Sequence, residues 1–187
     1  RQANPIRERI TFVFAKCTEG ATHQDKHYNR NREGIKQAGM IVGAYHFFLP
    51  GCHPEKQARN FIQHAQLTTG DLPPVLDIEH IGHLSDRQLT NDLLVWLELV
   101  EEHFHCVPII YSGNTFYHQH LNDKRLKRFP FWKAHYQKSG AIPHDTWLFC
   151  QYTKQGHVSG IGDGKKTPVD LNVFQGSMEE LEDLLIP

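Results

Sequence analysis

Charge imbalance, closely spaced cysteines, long apolar runs and internal repeats are all missing from this 187-residue chain. With 20 Lys and Arg against 21 Asp and Glu, the formal net charge is -1. That gives no electrostatic footprint for nucleic acid or for an anionic membrane surface. The four cysteines, Cys17, Cys52, Cys106 and Cys150, contain no Cys-x-x-Cys pair, which argues against a zinc ribbon or a thioredoxin-like redox site. Their even number permits two disulfides in any of three pairings, or buried free thiols, and spacing alone does not choose. No apolar run approaches a membrane span or a signal-peptide core, so no membrane insertion is expected. The 14 histidines include no His-Glu-x-x-His. The pairs His103 with His105 and His118 with His120 stand at i+2, a spacing that does not share a helix face. No metal and no cofactor is expected. The length suits one domain over residues 1–187, able to bury roughly 70% of the surface its unfolded form exposes.

What is present is an alternation of short apolar strands and amphipathic helices. Strands are expected at Ile10 to Ala15, Met40 to Phe48, Val75 to Glu79, Val107 to Ser112 and Phe131 to Tyr136. Helices are expected at Asp25 to Ala38, stopped by Gly39, and at Pro54 to Leu67 with Pro in the first turn. A long helix to about Phe104 opens on a capping box of Ser85 and Gln88, and a short one covers Thr115 to Leu121. Helices then disappear. Trp147 to Thr153 and Val169 to Phe174 read as strands joined by the glycine-rich stretch Gly156 to Gly164, before Ser177 with Glu180 caps a closing helix. Such an order implies an α/β fold, a parallel sheet with right-handed crossovers, and its strand number suggests a barrel.

The most informative segment is LPPVLDIEH, Leu72 to His80. Along a strand, i and i+2 side chains point the same way with backbones about 6.6 Å apart, so Asp77 and Glu79 are expected to enter one cavity. Two acids held that close rarely ionise alike, and an acid pair of unequal pKa is what glycosidic cleavage needs. An Asp-x-Glu at a strand end also serves as a solvated loop entrance or a helix cap. Its place at the end of an apolar strand in a β/α pattern favours chemistry.

The segments FVFAKCTEG (Phe12 to Gly20), GAYHFFLP (Gly43 to Pro50), EKQARNF (Glu55 to Phe61), LPPVLDIE, PIIYSGNTF (Pro108 to Phe116), FPFWKAHY (Phe129 to Tyr136), WLFCQYT (Trp147 to Thr153) and VDLNVFQG (Val169 to Gly176) resemble, in order, the glycoside hydrolase family 25 lysozymes. The resemblance covers nearly the whole chain. It implies a flattened, irregular, TIM-like β/α barrel and an N-acetylmuramidase cutting the β-1,4 bond between N-acetylmuramic acid and N-acetylglucosamine. The implied partner is the glycan strand of peptidoglycan, met by a monomer outside the cell or at the wall.

Carried over, Glu79 is the general acid with a raised pKa, and Asp77 stays ionised to orient the substrate's acetamido group or stabilise an oxocarbenium-like centre. Asp170, in VDLN, is a further acid at the rim, and Glu19 a weaker carboxylate candidate or a loop anchor. Tyr45, Phe47, Tyr111, Trp132, Tyr136 and Tyr152, at strand ends, offer flat faces to sugar rings, and His46 and Gln151 polar groups to acetamido or hydroxyl groups. One departure stands out: the family opens with a strand carrying Asp in a Gly-x-Asp-Val-Ser type motif, whereas RQANPIRERI resembles the connection after it. A barrel short of that strand is expected to leave two edges unclosed. The competing readings are a peptidoglycan-binding domain of weak turnover and another barrel glycosidase such as a chitinase.

Overall fold

The computed structural model describes residues 10–136, 147–158 and 168–187. Among them, one eight-stranded sheet runs in the order β2-β1-β3-β4-β5-β6-β7-β8. The strands are β1 (Phe12–Glu19), β2 (His23–Gln24), β3 (Ile41–Phe47), β4 (Val75–Asp77), β5 (Ile109–Gly113), β6 (Phe131–Ala134), β7 (Phe149–Gly156) and β8 (Val169–Phe174). From β1 through β3 to β7 every pairing is parallel. β8 pairs antiparallel with β7.

The sheet is curled. Five strand spacings separate β1 from β7, about 24 Å if the sheet were flat. Yet the rings of Phe12 and Phe149 lie 5.2 Å apart and those of Phe14 and Trp132 4.4 Å apart. Curling that far needs room on the concave face, and Gly43 provides it: a Cβ there would stand 2.2 Å from the Phe14 ring. β2 covers only Thr18 and Glu19 of the outer edge of β1, so Phe12–Lys16 has no strand on that side among the described residues.

Helices α1 (Tyr28–Gln37), α2 (Pro54–Ala65), α3 (Asp86–Phe104), α4 (Asn114–His120) and α5 (Met178–Asp183) complete the fold. α3 has the capping box expected from its sequence, with Ser85 accepting from the Gln88 amide. Its buried residues Leu89, Leu93, Trp96, Leu97, Val100 and Phe104 recur every three or four positions, which gives one apolar stripe against the sheet. Ala58, Phe61 and Ala65 do the same on α2. These stripes pack with Val42, Ala44, Phe48, Leu76, Ile78 and Ile110 on the convex face of the sheet. A second, aromatic cluster of Tyr111, Trp132 and Phe149 with Phe12, Phe14, Tyr45 and Phe174 fills the concave face.

Several boundaries differ from the sequence reading. β1 continues past Ala15 to Glu19 across an irregularity between Lys16 and Thr18. β4 stops at Asp77, not Glu79, and β6 at Ala134, not Tyr136. β2 and a 3-10 turn at Lys124–Arg128 were not expected. Most of the Gly156 to Gly164 stretch, and the chain start RQANPIRER, lie outside the described residues. All four cysteines are free thiols; Cys17 and Cys150 are buried, and Cys52 and Cys106 are half-buried.

Candidate active site

Strand register places candidate residues in one row across the sheet: Glu19 stands opposite Phe47, Phe47 opposite Asp77, Asp77 opposite Tyr111, and Tyr111 opposite Trp132. This row lies at the carboxyl ends of parallel strands, where each chain leaves the sheet and loops can receive a ligand. Leu76 and Ile78 pack against the helices while Asp77, between them, belongs to the other face, the consequence of two-residue alternation.

Asp77 is buried, and its Oδ1 has no hydrogen-bond partner. Burial pushes its carboxyl well above the ordinary range; the nearby Glu79 charge adds to this and Lys16 opposes it. Burial thus works against the ionised Asp77 expected from the sequence, because desolvation penalises the charged form. Glu79 follows the strand instead of ending it and is exposed. The pair thus consists of one buried and one exposed carboxyl. Glu79 still acts electrostatically on Tyr45, Tyr111 and Tyr136 as well as on Asp77. Asp170, exposed on β8, acts on Tyr45 and Tyr136.

The aromatics divide by exposure. Tyr45 and Phe47 are half-buried and Tyr136 is 48% exposed, so they present faces to solvent. Tyr111 and Trp132 are buried floor, a correction to their reading as sugar platforms. Trp132 packs on Phe14 and edge-on to Tyr111, and its indole N–H donates to Asn172 Oδ1 at 2.9 Å. Gln151 Oε1 accepts from the hydroxyls of Tyr111, at 2.9 Å, and Tyr136. Tyr152 is half-buried at the register irregularity between β7 and β8, where strand alternation is interrupted. His46 is corrected outright: one position from Tyr45 and Phe47, it faces the helices, fully buried.

Two residues of this region were missed. Lys16 donates to Glu19 Oε2 at 2.6 Å and lies 5.2 Å from the centre of the Phe47 ring. That hydrogen bond holds the Glu19 carboxyl below its ordinary range. A lone lysine inside the apolar run FVFAKC was the available signal. Its i,i+3 relation to Glu19 spans opposite faces of a regular strand, and the irregularity before Thr18 is what joins them. Asn172 carried no signal until β8 was seen to pair with β7. Among the described residues, no group of three or more His, Cys, Asp and Glu could hold a metal ion, and no helix is long and apolar enough to cross a membrane.

Residues 5–161 match the family model described as glycosyl hydrolases family 25. The uncharacterized protein YegX of Escherichia coli K12 is 40% identical over 175 residues, covering 93% of this chain and 62% of YegX. Lysozyme M1 of Streptomyces globisporus is 30% identical over 188 residues, with 92% and 62% covered. The chain therefore spans under two thirds of these curated relatives. A family 25 glycosyl hydrolase from Bacillus anthracis superimposes with a TM-score of 0.83 at 32% identity, covering 92% of this chain and 82% of that one. A bacterial lysozyme from Streptomyces coelicolor gives 0.83 at 29%, covering 94% and 86%.

Proposed function

Since the chain belongs to glycosyl hydrolase family 25, we propose that it is a muramidase, hydrolysing the β-1,4 bond from N-acetylmuramic acid to N-acetylglucosamine in peptidoglycan. The observation that carries the reading is the buried, unpartnered Oδ1 of Asp77 in the floor, below an exposed Glu79 and beside half-exposed aromatic faces. A buried oxygen with no partner costs about 1–3 kcal/mol, and a ligand donor such as an acetamido N–H relieves that cost.

In the free chain burial favours the protonated form of Asp77. An acetamido N–H donating to Asp77 Oδ1 stabilises its ionised form. Glu79, exposed beside it, acts as the general acid and gives a proton to the leaving oxygen as the glycosidic carbon–oxygen bond breaks. Water adds hydroxide to the anomeric carbon and returns a proton to the carboxylate pair. Tyr45, Phe47 and Tyr136 supply sugar-facing surfaces, Gln151 anchors the Tyr136 hydroxyl, and Asp170 with the Lys16–Glu19 pair sets the charge of the rim. The matching lysozymes support this reading. It places the protein, as a monomer, at the cell wall or outside the cell.

The test is mass spectrometry of fragments released from purified peptidoglycan. Reducing ends of N-acetylmuramic acid are expected. Reducing N-acetylglucosamine would reassign the bond, and binding without new reducing ends would reduce the domain to a glycan-binding module.

A further inference from the structure

Behind the sheet, polar groups converge where the function just described has no use for them. His46 is fully buried, as are Thr18 and Gln57. Its Nδ1 lies 2.7 Å from Thr18 Oγ1 and its Nε2 3.2 Å from Gln57 Oε1, while its ring stacks on Trp96 at 5.5 Å. The direction of each bond follows from the rest of the network. The Gln57 amide nitrogen donates to the Leu49 and Cys52 carbonyls, at 3.0 and 3.2 Å, and its oxygen accepts from the Leu49 amide at 2.9 Å. Gln57 Oε1 can only accept, so His46 Nε2 carries the ring proton, and Nδ1 accepts from the Thr18 hydroxyl. The imidazole is neutral; burial lowers its pKa to about 4.

Each arm of this network ends beside the candidate site. Thr18 precedes Glu19 and follows the irregularity that turns Lys16 and Glu19 together. His46 precedes Phe47. The chain from Leu49 to Cys52, held by Gln57, continues from Phe48, whose amide donates to the Asp77 carbonyl at 2.9 Å. The Gly20 amide donates to the Phe47 carbonyl at 3.1 Å. Helix α2, through Gln57, is thereby linked by directional bonds to the ends of β1, β3 and β4.

We propose that His46 is a positioning residue: through Thr18 and Gln57 it sets the placement of Glu19, Phe47 and Asp77 on the opposite face of the sheet. This rests on the muramidase reading only for its effect on turnover. A buried histidine that merely filled space would be replaceable by any ring of its size, whereas a positioning one must keep an acceptor toward Thr18 and a donor toward Gln57.

The experiment compares His46→Phe, which keeps a ring against Trp96 and loses both hydrogen bonds, with His46→Gln, which loses the ring and can supply acceptor and donor. Folding is checked by melting. The readouts are kcat and KM for reducing-end release, and the midpoint of Glu19 in a carboxyl NMR titration. In His46→Phe, kcat is expected to fall roughly tenfold or more with KM held within about twofold, and the Glu19 midpoint to rise toward the ordinary carboxylate range as its pairing with Lys16 loosens. In His46→Gln both should stay near the parent. A folded His46→Phe with the parent's kcat and Glu19 midpoint overturns the proposal. So does a His46→Gln as damaged as His46→Phe, since ring packing then accounts for the effect. If His46→Phe does not fold, Thr18→Val removes one arm alone, and an unchanged kcat and Glu19 midpoint there overturn it equally. An inactive parent chain counts against the muramidase reading, and the Glu19 titration still decides the positioning role.

Discussion

On the convex side of the sheet, His46 has both ring nitrogens hydrogen-bonded and Gln57 uses every amide position it has. On the concave side, Asp77 is nearly as buried and keeps an oxygen with no partner. On the helix side, Trp96 Nε1 and Arg32 Nε of α1 are without hydrogen-bond partners. Where helices cover the sheet, unmet hydrogen-bonding capacity brings only cost, so the polar groups close on one another. On the concave face, the same cost fits the ligand contact proposed for Asp77. The two faces also store opposite pH dependences. Asp77, with its folded pKa raised, binds more protons folded than unfolded, so its contribution to stability is lost as pH rises above about 4, the ordinary carboxylate value. His46, with its folded pKa lowered to about 4, contributes stability that is lost as pH falls from about 6.5.

The sharpest way to break this contrast is Glu79→Gln, an exposed position in the proposed machinery. Reducing-end release should fall about 10²–10⁴-fold, as for loss of a general acid, with melting unchanged. A folded Glu79→Gln chain of parental activity would remove the concave face's claim to catalysis. Trp132→Ala should cost about 3–5 kcal/mol in denaturant unfolding, the range for a buried aromatic, since Trp132 is packed in the concave floor. A small stability loss with a large affinity loss would return Trp132 to the sugar-facing surface.

Stability measured against pH tests the opposed titrations. His46→Gln should flatten the decline between about pH 6.5 and 4, which at the shift to about 4 is worth on the order of 3 kcal/mol. Asp77→Asn should flatten the decline above the ordinary carboxylate range. Slopes that change in the same direction in both variants would erase the distinction between the faces. The smallest effect is expected at Tyr136, nearly half exposed: Tyr136→Ala should weaken glycan-fragment affinity roughly two- to tenfold while melting stays within experimental scatter. Calorimetric titration against a muropeptide checks it, and unchanged affinity would remove Tyr136 from the cleft.

Local chemistry alone determined the order of strands and helices, the Ser85 and Ser177 capping boxes, the Pro54 helix start and the parallel crossovers, because these depend on residues within a few positions or on patterns of period two and 3.6. The strand-end location of Asp77 was legible for the same reason. Tertiary structure alone decided what each candidate faces. An irregularity in β1 brings Lys16 to Glu19. One step of alternation turns His46 to the helices while its neighbours Tyr45 and Phe47 stand on the concave side. The curl that folds Phe14 onto Trp132 makes Trp132 floor and not platform. Burial then distinguishes the two acids, Asp77 being buried and Glu79 exposed. Desolvation depends on everything packed around a carboxyl, drawn here from distant parts of the chain, and neighbouring residues in sequence do not encode it.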